Sequence, residues 1–126
     1  MDISKESYSQ HISQQFNNEL SDLKNHLLVM GGLVERQILM AVQSLVEGDS
    51  HLAQDVRMRD KDVDSLEVAI DEECTRVIAK RQPAASDLRL IMGVIKMVAD
   101  LERIGDESKK IAKAAMTLSE EGQAPR

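Results

Sequence analysis

The sequence predicts an all-α protein, an up-down-up bundle of three long helices, and three observations carry that prediction. Apolar residues recur at spacings of three and four through most of the 126 residues. The pattern breaks at two places, Gly48 and Pro83. Only one Phe, one Tyr and no Trp stand against 42% hydrophobic and 30% charged residues, so the interior is filled by Leu, Ile, Val, Met and Ala, which suit helices packed ridge into groove. The length fits one core and a single domain.

The first helix is expected over about residues 9–47. Ile12, Phe16, Leu20, Leu23, Leu27, Met30, Val34, Ile38, Ala41 and Leu45 form one stripe along it, and Gly31-Gly32 suggests a bend or a close helix contact within it. Gly48 suits the C-terminal cap, and Asp49 or Ser50 can accept from the free amides that open the second helix. That helix is expected over about 50–81, with Leu52, Val56, Val63, Leu66, Ile70, Cys74, Val77 and Ile78 facing inward. Pro83 stops it, lacking the amide and disfavouring helix in the preceding residue. Ser86 is the expected N-cap of a third helix over about 85–118, with Asp87 in its first turn. The bundle would thus span 9–119, leaving 1–8 and 120–126 as tails.

Sixteen basic against 22 acidic residues give a net charge of −6, which disfavours nucleic acid and anionic lipid as partners. The start, Met1-Asp2-Ile3-Ser4-Lys5-Glu6, is polar, so no signal peptide is expected. No run approaches the roughly 20 apolar residues of a membrane span, and a cytoplasmic protein is expected. Cys74 is the single cysteine, which excludes an intrachain disulfide and reads as buried packing. The Met residues, seven in all, read as adaptable core filler.

Two acid pairs carry the chemistry. Asp60 and Asp64, and likewise Glu102 and Asp106, are four residues apart, so each pair shares a helix face. The midpoints of the pairs, positions 62 and 104, are equidistant from Pro83, about 31 Å along either helix. Folding back at Pro83 brings them to one height, and Asp64 is expected to approach Glu102. Glu67 and Asp71 continue the second-helix row. Carboxylates beside a core require a compensating charge, and two sources fit the spacing. One is a hard cation held by oxygen ligands. The other is neutralisation by Lys61, Arg103, Arg57, Arg59 and Lys109 on a solvated face. His11, His26 and His51 are scattered, and no Glu-x-x-His, glycine-rich phosphate loop, nucleophile elbow or paired cysteine appears, so an enzyme is not expected. For the same reasons free orthophosphate is not expected to regulate the chain directly.

Glu67-Val-Ala-Ile-Asp-Glu-Glu-Cys74, Ile78-Ala-Lys-Arg-Gln-Pro-Ala-Ala-Ser-Asp-Leu-Arg-Leu90 and Leu101-Glu-Arg-Ile-Gly-Asp106 resemble the PhoU family of phosphate-signalling regulators, and Met30-Gly-Gly-Leu-Val-Glu35 fits that family's first helix. The resemblance implies a bundle built from three-helix repeats, of which this chain matches the first. It implies metal binding through acid-x-x-x-Asp motifs, which carry onto Asp60, Asp64, Glu102 and Asp106 as ligands of a divalent or ferric ion such as Fe, Zn, Mn or Mg. It also implies a negative regulator of the phosphate-starvation response, linking the ATPase subunit of the phosphate ABC transporter to a membrane sensor histidine kinase, restraining phosphate uptake, and reaching the membrane only through those partners. The alternative is a metal-free helical interaction module. Because the family usually carries two repeats, a single one is expected to leave an apolar strip open and to pair as a homodimer.

Overall fold

The computed structural model describes residues 2–122, with side chains from residue 5 onward. Three helices run up, down and up: α1 (Asp2–Glu47), α2 (Ser50–Arg81) and α3 (Ala85–Glu120). Each packs against both others, and no strand occurs among the described residues.

The turns follow the expected chemistry with one change. Gly48 adopts φ +67°, the left-handed conformation that ends α1, and Asp49 caps α2 by accepting from the Leu52 amide at 3.0 Å. At the other end Gln82 takes the left-handed position at φ 45° and donates its amide to the Ile78 carbonyl. Ser86 is not the cap of α3: the helix already starts at Ala85, and its N-cap, Ala84, offers no side-chain acceptor. Asp87 lies in the first turn, where it complements the helix dipole.

The expected tails are shorter than the sequence suggested. α1 extends back to Asp2, because residues 2–8 contain neither Gly nor Pro and the helix propagates through them despite the exposure of Lys5–Tyr8. α3 likewise reaches Glu120; residue 1 and residues 123–126 of the expected tails lie outside the described residues. Gly31 and Gly32 face open space, so the close helix contact anticipated there is absent and α1 runs through them.

The interior divides into two apolar clusters. The larger gathers Leu23, Met30 and Val34 of α1, Ile70 and Cys74 of α2, and Ile91 and Val98 of α3. The smaller, toward the α1–α2 turn, is alanine-rich, with Ala41, Ala53, Val56, Ala112 and Ala115. Between them lies a polar layer. Gln37 (2% exposed), Asp60 (3%) and Ser108 (0%) are buried there, with Gly105 beside them. The buried face of α1 therefore runs through Gln37 and Ser44, while Ile38 and Leu45 of the predicted stripe are only half-buried.

α1 carries a second apolar row pointing outward. Leu28, Leu39, Val42 and Val46, exposed by 72%, 63%, 45% and 59%, follow one another with Gly32 and Glu35 at steps of four and three. This row corrects the expectation that no run resembles a membrane span. An 18-residue stretch of α1 meets that test by length and composition, with 28% of it buried, because the helix is apolar on two faces instead of one.

Candidate metal centre

The reversal at Pro83 sets α2 and α3 in the register that the equal spacing of the acids requires. Asp64 and Glu102 meet across the interface, and Glu67, one turn along α2 from Asp64, joins them. A carboxylate oxygen of each lies within 4.8 Å of the other two. Asp64 is exposed, whereas Glu67 and Glu102 are half-buried.

The other two predicted acids take different places. Asp60 is turned into the polar layer, where its Oδ1 accepts from Gln37 Nε2 at 2.8 Å and its Oδ2 lies 3.0 Å from Lys109 Nζ. Asp106 borders the cluster, 3.9 Å from Lys109 and one helical turn along α3 from Glu102. Lys109 thus compensates the inner acids. Of the other cations expected to neutralise the group, Arg103 pairs with Asp100 at 3.8 Å, and Arg57, Arg59 and Lys61 make no ion pair among the described residues. Asp64, Glu67 and Glu102 also have no ion-pair partner among those residues.

The electrostatics record this shortage of positive charge. Partial desolvation between the helices pushes the Asp64 carboxyl above its ordinary range, and the neighbouring Asp60 charge pushes it further. Glu67 rises for the same first reason, with Asp71 and Asp64 adding to it. Glu102 is raised chiefly by its hydrogen bond with Asp106, then by desolvation. Three carboxylates that are harder to ionise than usual and whose oxygens lie within 4.8 Å of one another, near enough to share one ion, suit a hard cation. The donor set fits the metal implied by the resemblance, with Glu67 entering where Asp60 was expected. Glu67 was legible as the continuation of the Asp60–Asp64 row. The burial of Gln37, between Val34 and Ala41, was the overlooked sign that one acid would be drawn inward.

Gly105 lets this arrangement close. A Cβ there would stand 3.1 Å from Gln37 Oε1 and 3.3 Å from Asp60 Oδ1, so the Ile-Gly-Asp step brings the α3 backbone against the α1–α2 hydrogen bond.

The three-helix bundle agrees with what comparison with known proteins finds. The PhoU domain profile matches residues 27–115. The chain belongs to the PhoU family. It is 60% identical over 124 residues to the phosphate-specific transport system accessory protein PhoU homolog of Pseudomonas putida, covering 98% of this chain and 48% of the relative. The Escherichia coli phosphate-specific transport system accessory protein PhoU is 51% identical over 108 residues, 86% of this chain and 45% of that protein. The crystal structure of PhoU from Pseudomonas aeruginosa superposes with a TM-score of 0.84 at 58% identity, covering 88% of this chain and 53% of the crystallised one. The PhoU-like bundle therefore spans about half the length of the curated relatives it matches.

Elsewhere the polar contacts are structural. Arg81 grips Glu19 through Nε at 2.8 Å and Nη2 at 3.2 Å, tying the end of α2 to α1 and holding the Glu19 carboxyl below its usual range. His26 meets Glu73 at 2.9 Å instead of Asp22, its neighbour one turn away. Cys74 is fully buried, and desolvation pushes its thiol up to about 11, which leaves it unreactive at neutral pH.

Proposed function

We propose that the chain is a cytoplasmic, metal-binding adaptor of phosphate transport control, a negative regulator of the phosphate-starvation response. Its partners in this reading are the ATPase subunit of the phosphate transporter and the sensor histidine kinase, and it approaches the membrane only through them. Membership in the PhoU family and the relatives' designation as accessory proteins of the phosphate-specific transport system support the pathway. The convergence of Asp64, Glu67 and Glu102 without a protein cation supports the metal. Asp106 borders the site, and Asp60 lies behind it, paired with Lys109. A bound Fe, Zn, Mn or Mg ion would supply charge compensation that pins α2 to α3, a structural task with no catalytic step.

A homodimer forms part of the same reading. The outward row of α1 exposes Leu28, Leu39, Val42 and Val46, broken by Gly32 and Glu35, and a second copy of the chain is the simplest cover for it.

Elemental analysis of the purified protein tests the metal, with the wild type expected to retain a divalent or ferric ion and Asp64→Asn/Glu102→Gln to lose it. A wild type that purifies without metal would favour the metal-free interaction module, and equal metal in both proteins would place the ion away from Asp64 and Glu102. Co-purification with the transporter's ATPase subunit tests the pathway separately.

A further inference from the structure

The acid cluster has a basic neighbour. One helical turn from Asp64 toward the α1–α2 end of the bundle, the outward faces of α2 and α3 enclose a cleft of about 630 Å³. Arg57 and Lys61 line it from α2, and Lys109, Lys110, Lys113 and Asp106 from α3. Five cations thus share the space with one carboxylate, in a chain whose net charge is −6. Lys109 and Lys110 are engaged, by Asp60 at 3.0 Å and Glu107 at 3.2 Å. Arg57, Lys61 and Lys113 make no ion pair among the described residues, and Arg57 Nη1 instead rests against Met116 Sδ at 3.6 Å.

Like charges gathered on facing helices repel one another unless a counter-charge joins them. The geometry describes that counter-charge. Arg57 and Lys61 are four residues apart, as are Lys109 and Lys113, so each row repeats along its helix after about 6 Å. A single orthophosphate reaches one level of these rows, whereas a chain of linked phosphates reaches both. Lysine ammonium groups bind phosphate as compact point charges, and no aromatic side chain lines the cleft to stack on a base. We propose that this cleft binds the oligophosphate chain of a small molecule, free or as part of a nucleotide, through Arg57, Lys61 and Lys113.

Isothermal titration of metal-free protein at low salt tests this with tripolyphosphate, ATP, adenosine and orthophosphate as probes. Tripolyphosphate and ATP are expected to bind with similar affinity and to weaken as salt is added, orthophosphate to bind at least about tenfold more weakly, and adenosine not at all. Lys61→Gln/Lys113→Gln, two exposed positions whose replacement leaves the core untouched, should lower tripolyphosphate affinity at least about tenfold. Asp64→Asn/Glu102→Gln, which removes negative charge near the cleft, should not weaken it, so failure here is distinguishable from failure of the metal reading. Absence of tripolyphosphate binding, or binding indifferent to the lysine variant while circular dichroism shows an intact fold, would overturn the proposal.

Discussion

Lys109 Nζ lies 3.0 Å from Asp60 Oδ2, joining the one deeply buried carboxylate among the described residues to a cation at the surface. Asp60 needs that charge. Its remaining partner is the neutral Gln37 amide, and a buried carboxylate left with one neutral hydrogen bond is costly. Lys109→Met should therefore destabilise the protein by about 2–3 kcal/mol, and Asp60→Asn in the same chain should restore much of the loss. Urea denaturation of the two variants measures both steps, and the absence of rescue would mean that the lysine acts through packing of its stem.

Gly105 offers a second test of the same layer. An alanine there gains up to about 1 kcal/mol of helix propensity, but its methyl meets Gln37 Oε1 at 3.1 Å and Asp60 Oδ1 at 3.3 Å. Gln37 Oε1 is buried and has no hydrogen-bond partner, while the amide nitrogen of the same side chain is held by Asp60, so the group has little room to yield. Gly105→Ala should lower stability by about 1–2 kcal/mol net of the propensity gain. In a Gln37→Ala background the same substitution should become neutral or stabilising, as read from the melting temperatures of the four chains.

The acid triad fixes the sign of a pH dependence. Asp64, Glu67 and Glu102 are all raised on folding, so their contribution to stability is fully present below the ordinary carboxylate values and is lost as pH rises through the raised ones. In metal-free protein, Asp64→Asn/Glu102→Gln should match the wild type at about pH 3 and exceed it at about pH 7 by roughly 0.5–1 kcal/mol, a modest figure because Asp64 is exposed. Glu19 runs the other way: its lowered carboxyl contributes stability above pH 4.5 that is lost on acidification. Comparing variant with wild type at each pH removes that opposing background.

Association through the outward row of α1 is expected at micromolar concentration. Leu39→Glu/Val42→Lys places charges at the centre of the row without touching the core and should leave a monomer by light scattering. A wild type that is already monomeric at high concentration would show that the exposed row needs no second copy.

Much of this was legible because helical period and chain reversal are local properties. Gly48 and Pro83 located the turns, and equal distance from Pro83 brought Asp64 to Glu102. What escaped the sequence depended on rotation within a helix. A quarter-turn decides whether Asp60 joins Asp64 or faces Gln37, and whether Ile38 or Gln37 points inward. The apolar stripe of α1 was broad enough to admit either. The basic cleft escaped for a related reason: Arg57, Lys61 and Lys109 had ready partners in sequence, and only the packing shows that two of the three are left without an acid.

The proposed cation site of Asp64, Glu67 and Glu102, three carboxylates from two helices, is tested most directly by titrating Mn²⁺ into metal-free wild type, Glu67→Gln and Asp60→Asn proteins. Saturable binding to the wild type is expected, with a loss of at least about tenfold for Glu67→Gln, near-wild-type affinity for Asp60→Asn, and a melting temperature that rises with ion concentration by mass action. Binding that survives Glu67→Gln and disappears with Asp60→Asn would contradict it, placing the ion at the buried end of the row and requiring Lys109 to leave.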